Sequence, residues 1–368
     1  MPFVTDRIAD QRGIRVAGRQ ASEVARHLSE GILGQDHAVE ALARSVSLAR
    51  AGLNDPRRPL ANVLLVGPTG VGKTELARRL AAVLRSGPDD LCRVDMNALA
   101  QEHYAASFSG APPGYAGSKE GFSLFERSKV EGDPYTPGIV LFDEVEKAHG
   151  VVLRALLHVL DHGELRLANG QGRIDFRNCF VLMTSNLGSR QMSRLLHGPV
   201  GRAERWLGNR SERLSKSGHE LSQSAAHHLT QRAVRRFFDP EFLNRIDDVV
   251  VMNHLDAEVT SRIVAMQVEE VRRQASRKGV DLAVSHEVHQ LIHERGFTPA
   301  YGARSLRRAV RQHLAIPVAE VLGASPHARN TKTRLCAEVV DNEVHVRRIE
   351  DPDSSEEAPR PYVLGTLQ

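Results

Sequence analysis

Residues 61–74 read ANVLLVGPTGVGKT, an apolar run that stops at a glycine-rich turn ending in lysine and threonine. The run has the near-continuous Val and Leu content of a strand buried on both faces. The TELARRLAAVLR stretch that follows places Leu76, Leu80, Val83 and Leu84 on one helical stripe. Strand, glycine-rich loop and helix in that order are the context a phosphate-binding loop requires. Across Gly67, Pro68, Thr69, Gly70, Val71, Gly72, Lys73 and Thr74 the glycines let backbone N–H groups curl around phosphates, and the helix N-terminus adds the positive end of its dipole. Lys73 supplies charge for the terminal phosphates, and Thr74 an oxygen for Mg²⁺. ATP and Mg²⁺ are the expected cofactors.

Further strand-length runs repeat the pattern: LCRVDM (91–96), GIVLFDE (138–144), CFVLMTSN (179–186) and DDVVVM (247–252). Strands alternating with helices predict an α/β domain over about 31–253, a parallel five-stranded sheet with flanking helices. IVLFDE sets Asp143 and Glu144 at the C-terminal edge of that sheet, where open α/β folds bind ligands. Asp143 is expected to hold Mg²⁺ through water, and Glu144 to orient or deprotonate the attacking water. Without the phosphate loop upstream, the same pair would read as carboxylates capping the next helix. Asn186, at the end of CFVLMTSN, reads either as an amide reaching the γ-phosphate or as ordinary turn chemistry.

After His254 the pattern changes. LDAEVTSRIVAMQVEEVRRQASRKG and Ala303 to Leu322 read as amphipathic helices, VDLAVS and TRLCAEVVDNEVHVRR as strands, the last a hairpin turning at Asp341-Asn342. A smaller, mostly helical α+β domain over 254–348 is expected, then an acidic, disordered tail over 349–368. Residues 1–30 are too few for a domain and form an N-terminal extension.

The chain has 368 residues, enough for two domains, with hydrophobic and charged fractions of 41% and 26% that fit a globular protein. No apolar run is long enough to span a membrane and no signal-peptide core is present, so a cytoplasmic location is expected. Cys92, Cys179 and Cys336 lack metal-ligand spacing and read as buried reduced thiols. A net charge of +4 is slight, and no aromatic-basic interleaving accompanies it, so nucleic acid is not an expected partner. His227-His228 has no carboxylate or cysteine at helical spacing beside it, which argues against a metal site. GAPPGYAGSKEG (110–121) holds Tyr115 among glycines, where it reads either as part of a surface turn or as an aromatic kept free for contact.

GPTGVGKTELA, GAPPGYAG, VLFDEVEKAH, GQGRIDFRN, MTSNLGS, FLNRIDDVV and YGARSLRR occur in the order found in the second ATPase module of Clp-family AAA+ unfoldases. About residues 31–348 resemble that module, the ClpA/ClpB class. The resemblance implies an AAA+ P-loop large domain with a C-terminal lid domain, assembled as a homo-oligomer, a hexameric ring with ATP between subunits, acting on polypeptide substrates. It assigns Arg245 to the arginine finger reaching a neighbour's γ-phosphate and Arg304 to the second sensor. It assigns Ile32, Leu33 and Ile263 to the flanks of the adenine. Gly114, Tyr115, Ala116 and Gly117 then match the pore loop that grips polypeptide. On residues alone Arg245 would be a surface ion-pair partner, and Ile32, Leu33 and Ile263 plain core.

Departures accompany the match. The family's N-terminal domain and first ATPase module are not in this sequence, so a single-ring or partner-dependent machine is expected. Ser107-Phe108-Ser109 stands where Arg-Leu-Ile usually precedes the loop, and Ala116 where the family has Val. RSKVEGDPYTPG is longer than the pattern. Residues 187–234, with Trp206 and His227-His228, form a basic stretch expected to be a solvated loop or an insert for an adaptor. It lacks the Leu/Ile-Gly-Phe/Leu tripeptide that docks a ClpP-like peptidase, so that partner is not expected. The expected function is an ATP-driven protein unfoldase. The alternative is a nucleotide-dependent assembly scaffold or switch with little translocation.

Overall fold

Apolar stripes on α1 (Ala21–Ser29) and α2 (Asp36–Arg50) pack these two helices together ahead of the first strand, burying Val24, Leu28, Leu42 and Val46. The structure, a computed structural model, describes residues 21–101, 108, 124–167, 172–189, 212–298, 301–323 and 333–349. The Gly114–Gly117 loop, Trp206 and the tail beyond residue 349 lie outside the described residues. The chain divides into two units, 1–254 and 255–368.

In the first unit β1 (Ala61–Val66) leads through the glycine-rich loop into α3 (Lys73–Leu84). The buried side of α3 is Leu76, Ala77, Leu80 and Ala81, whereas Val83 and Leu84 are only half-buried. Then come β2 (Cys92–Asp95), β3 (Gly138–Asp143), α4 (Gly150–His162), a small hairpin of β4 (Glu164–Arg166) and β5 (Arg173–Asp175), and β6 (Cys179–Ser185). Helix α5 (Glu212–Phe237) and β7 (Asp248–Val251) complete the unit. The main sheet is parallel, in the order β2-β3-β6-β1-β7.

The three inner strands are buried along their whole length, as continuous apolar runs require. The edge strands differ from that expectation: β2 alternates buried Cys92 and Val94 with exposed Arg93 and Asp95, because one face of an edge meets solvent. Registers Val66↔Ser185, Phe142↔Met183 and Asp95↔Asp143 bring the strand ends out in step along one edge. That edge carries the site.

Beneath it Phe108, Phe125, Phe142 and Phe176 form an aromatic cluster with centroids 5.4–6.3 Å apart. Phe108, inside the tripeptide that departs from the family pattern, is therefore a core anchor, 1% exposed. All three cysteines are free and buried, and burial raises each thiol above its ordinary range. The second half of the 187–234 stretch is helix and not a solvated loop, because Ala226, Thr230 and Val234 give it a buried face.

The second unit contains α6 (Ala257–Ser276), capped by Asp256 accepting from the Val259 N–H at 2.7 Å, then β8 (Val280–Val284) and α7 (His286–Gly296). The stretch expected as one helix after residue 303 is α8 (Ala303–Val310), a π-helical turn at Arg311–Ala315, and α9 (Ile316–Gly323). Pro317 accounts for the interruption: it has no N–H to donate and its ring would clash with a regular preceding turn, which the wider π geometry relieves. β9 (Thr333–Val340) pairs parallel with β8 and antiparallel with β10 (Glu343–Ile349). The hairpin turns at Asp341 and Asn342, with φ of 50° and 65°, the left-handed pair that a tight turn demands.

His289 lines a cavity of about 180 Å³ between α6 and α7. Burial, followed by the charges of His286 and Arg272 and opposed by Glu269, lowers its pKa to about 4. Folding thus holds the imidazole neutral, and stability is present above the ordinary histidine range and lost as pH falls from about 6.5 toward 4. Thermal melts across that window should show the loss, and His289→Leu should flatten it.

Candidate active site

The loop after β1 holds its shape through three glycines with positive φ: Gly67 at 154°, Gly70 at 80° and Gly72, which caps α3, at 108°. At Gly67 a side chain would meet the Met252 Cβ at 3.0 Å and its carbonyl at 3.2 Å, so the chain leaving β7 presses on the loop. Lys73 is 7% exposed, and its Nζ donates to the Gly67 carbonyl at 2.6 Å, the Pro68 carbonyl at 2.7 Å and Asn186 Oδ1 at 2.9 Å. The loop wraps its own cation.

Asp143 closes β3 with 8% exposure. Its Oδ1 accepts from the Thr184 hydroxyl at 2.5 Å, and its Oδ2 from Arg93 Nη2 at 2.5 Å and Nε at 3.1 Å. The next residue, Glu144, takes a left-handed φ of 61°, a conformation that costs roughly 1–2 kcal/mol outside glycine. Its N–H donates to Thr184 Oγ1 at 3.0 Å, so one hydroxyl fixes both acids. Asn186 Nδ2 donates to Glu144 Oε1 at 2.9 Å, and the Asn186 N–H to Glu146 Oε1 at 3.0 Å. A single amide therefore links Lys73 to Glu144.

Thr184, Arg93 and Glu146 did not emerge from the sequence as site residues. Thr184 carried a signal nonetheless: with Ser185 it is a fully buried hydroxyl at the end of an apolar run, where a polar group must have a partner.

Ile32, 4% exposed, stands against the loop, its Cδ1 3.8 Å from where a Gly72 side chain would start; Leu33 is half-buried beside it. Ile263 is buried on α6 and Arg304 exposed on the first turn of α8, both in the second unit. Thr74 on α3 and Asp143 on β3 are hard oxygen donors of the kind Mg²⁺ takes, so these residues fit that ion.

Arg245 is not brought to this site. Its carbonyl accepts from Asn62 Nδ2 at 3.0 Å and Arg58 Nη2 at 2.7 Å, and Asn62 is the second residue of β1, at the opposite end from the loop. Four to five strand residues separate the two ends, roughly 15 Å. The guanidinium donates to the Glu241 carbonyl at 2.8 Å and to Asp161 at 3.3 Å, and its Nε is buried without a hydrogen-bond partner.

A family described as AAA domain (Cdc48 subfamily) matches residues 58–249, more than half the chain, and the C-terminal, D2-small domain of ClpB protein matches residues 255–335. The chain belongs to the Clp-family AAA+ ATPases. As a member of this family it binds nucleotide and hydrolyses ATP. It is 51% identical over 363 residues to an "ATP-dependent protease ATP-binding subunit-like protein" of Rhodococcus erythropolis, covering 95% of this chain and 99% of that one. It is 40% identical over 294 residues to the "Chaperone protein ClpB" of Rhizobium meliloti, covering 80% of this chain but 31% of the chaperone. Among solved structures, a closed-state reconstruction of Hsp104 with ATPγS and FITC casein aligns with a TM-score of 0.73 at 30% identity, over 94% of this chain and 55% of that one. The Clp relatives thus include a chain of this one's length as well as chains about three times as long. Among the described residues of this Clp-family chain, no helix is long and apolar enough to cross a membrane.

Proposed function

We propose that this AAA+ ATPase is a cytoplasmic protein remodeller working as a homo-oligomeric ring, hexameric as the family resemblance implies. Each site is completed by Arg245 of a neighbouring subunit, and polypeptide is moved past Tyr115. The observation that carries the reading is the Lys73–Asn186–Glu144 linkage at one edge of the sheet with Arg245 at the other. A chain so built holds Lys73, Glu144 and the Asn186 amide together but cannot bring its own Arg245 to them.

In this mechanism the loop N–H groups and Lys73 Nζ bind the β- and γ-phosphates, exchanging the Gly67 and Pro68 carbonyls for phosphate oxygens. Asn186 holds Glu144 Oε1 in place, and the Glu144 carboxylate takes the proton of the water that attacks the γ-phosphorus. The neighbour's Arg245 offsets charge on the equatorial oxygens as the bond to the β-phosphate breaks. Thr74 and Asp143 would hold Mg²⁺, which would supply further charge neutralisation. Ile32 and Leu33 flank the adenine. Helix α5 is the natural seat for an adaptor, and the missing tripeptide leaves no dock for a ClpP-like peptidase.

Tyr115→Ala should leave basal ATPase within about twofold and lower the unfolding of a tagged model protein at least about tenfold, since in this reading the tyrosine grips polypeptide and not nucleotide. Unchanged unfolding would remove the pore role. ATP binding with no turnover stimulated by unfolded protein would make the chain a nucleotide-dependent scaffold instead.

A further inference from the structure

Four residues of the first unit, Gly34, Gln35 and His37 around the start of α2 and His227 on α5, hydrogen-bond to Asn253, just past β7. Gln35, 0% exposed, mates its side-chain amide with the Asn253 backbone: the Asn253 N–H donates to Gln35 Oε1 at 2.8 Å, and Gln35 Nε2 donates to the Asn253 carbonyl at 2.9 Å. The same Nε2 lies 3.5 Å from the Val71 carbonyl of the phosphate loop. Asn253 Nδ2 donates to the Gly34 carbonyl at 3.2 Å and faces His37 Nδ1 at 3.5 Å. From α5, His227 Nε2 reaches Asn253 Oδ1 at 3.1 Å, and its ring lies 5.9 Å from that of His37.

The donors and acceptors are mutually consistent. With Asn253 Oδ1 accepting, His227 carries its proton on Nε2. His37, accepting at Nδ1, carries its own on Nε2 and donates to the Val251 carbonyl at 2.7 Å. Burial, opposed by the Asn253 bond and reinforced by His37, lowers the His227 pKa and keeps the ring neutral, as this network needs.

We propose that Gln35 and Asn253 are positioning residues for the base end of the nucleotide, and that His227 makes α5 the outer support of that clamp. The inference rests on the reading of Ile32 and Leu33 as flanking the adenine. The clamp fastens the backbone that follows them, at Gly34 and Gln35, to the end of β7 and to the phosphate loop. Gln35 has no exposed surface to offer a ligand, and in this proposal both it and His227 act through where they hold Ile32 and Leu33. A consequence is that α5, within the stretch where the sequence outgrows its family pattern, sets how tightly this chain holds ATP.

The test measures dissociation constants of ATP and of inorganic tripolyphosphate for the full chain, with melting curves to verify folding. His227→Leu should weaken ATP about fivefold and Gln35→Glu, which sets a carboxylate against two carbonyls, at least about tenfold. Tripolyphosphate, which has no base, should stay within about twofold in both. His227→Gln, which can again present an N–H to Asn253, should restore ATP binding. Equal losses for the two ligands would mean a merely structural role and overturn the proposal, as would no change in either. Ile32→Ala separates the two levels. If it leaves the ratio of the two constants unchanged, the base-side reading itself fails. If it shifts the ratio while His227→Leu and Gln35→Glu do not, the clamp alone fails.

Discussion

Glu144→Gln lowers ATP turnover at least about a hundredfold while ATP stays bound, the loss expected when a positioned general base is made neutral. The substitution is gentle in structure. Glutamine keeps an oxygen to accept from Asn186 Nδ2, and the Glu144 N–H keeps its bond to Thr184, so the left-handed turn and the loop are undisturbed. Lys73 still lies at the phosphates. Bound ATP that cannot be hydrolysed should also hold the ring together, so the variant sediments as a larger species in ATP than the unsubstituted chain. Lys73→Ala provides the contrast, because it removes the cation and should abolish binding along with turnover. Stopped turnover with trapped nucleotide in the first variant and lost binding in the second would assign the two roles; ordinary turnover in Glu144→Gln would contradict the assignment.

Arg245→Ala has the second large effect, about a thousandfold in turnover by the measure of other arginine fingers, with nucleotide affinity little changed. Stability should hardly move. The ion pairs to Asp161 and Glu241 are at 3.3 Å on partly exposed carboxylates, and pairs of that kind contribute at most about 1 kcal/mol. A melting temperature within a few degrees of the parent, together with near-complete loss of turnover, would separate a catalytic role from the surface ion pair that the residue resembles by itself.

Much of this was legible in the sequence because it is local. The phosphate loop, the acids ending GIVLFDE and the turn at Asp341-Asn342 are written in consecutive residues whose backbone demands are specific. Relations across the sheet were not legible. That Thr184 would hold both Asp143 and Glu144 follows from the pairing of β3 with β6, which brings residues forty positions apart into contact. The Arg93–Asp143 pair depends in the same way on β2 lying at the edge beside β3. Helix α5 was hidden by its low hydrophobicity: Ala226, Thr230 and Val234 make a buried face only because β7 and the segment after β6 lie against it, the site of close approach at Gly188 and Thr230 included. The proline-induced π turn after α8 escaped for the opposite reason, since the apolar spacing runs straight through it.

The central claim is that each site needs the arginine of another copy, and mixing inactive subunits tests it most directly. Glu144→Gln and Arg245→Ala chains are each inactive alone, and only an interface pairing an intact Glu144 with a neighbour's intact Arg245 is complete. Mixed in equal amounts under exchanging conditions, they should recover turnover toward about a quarter of the parent's, the share of complete interfaces in a randomly assembled ring. Turnover no higher than the sum of the separate variants, in rings shown to contain both, would contradict it.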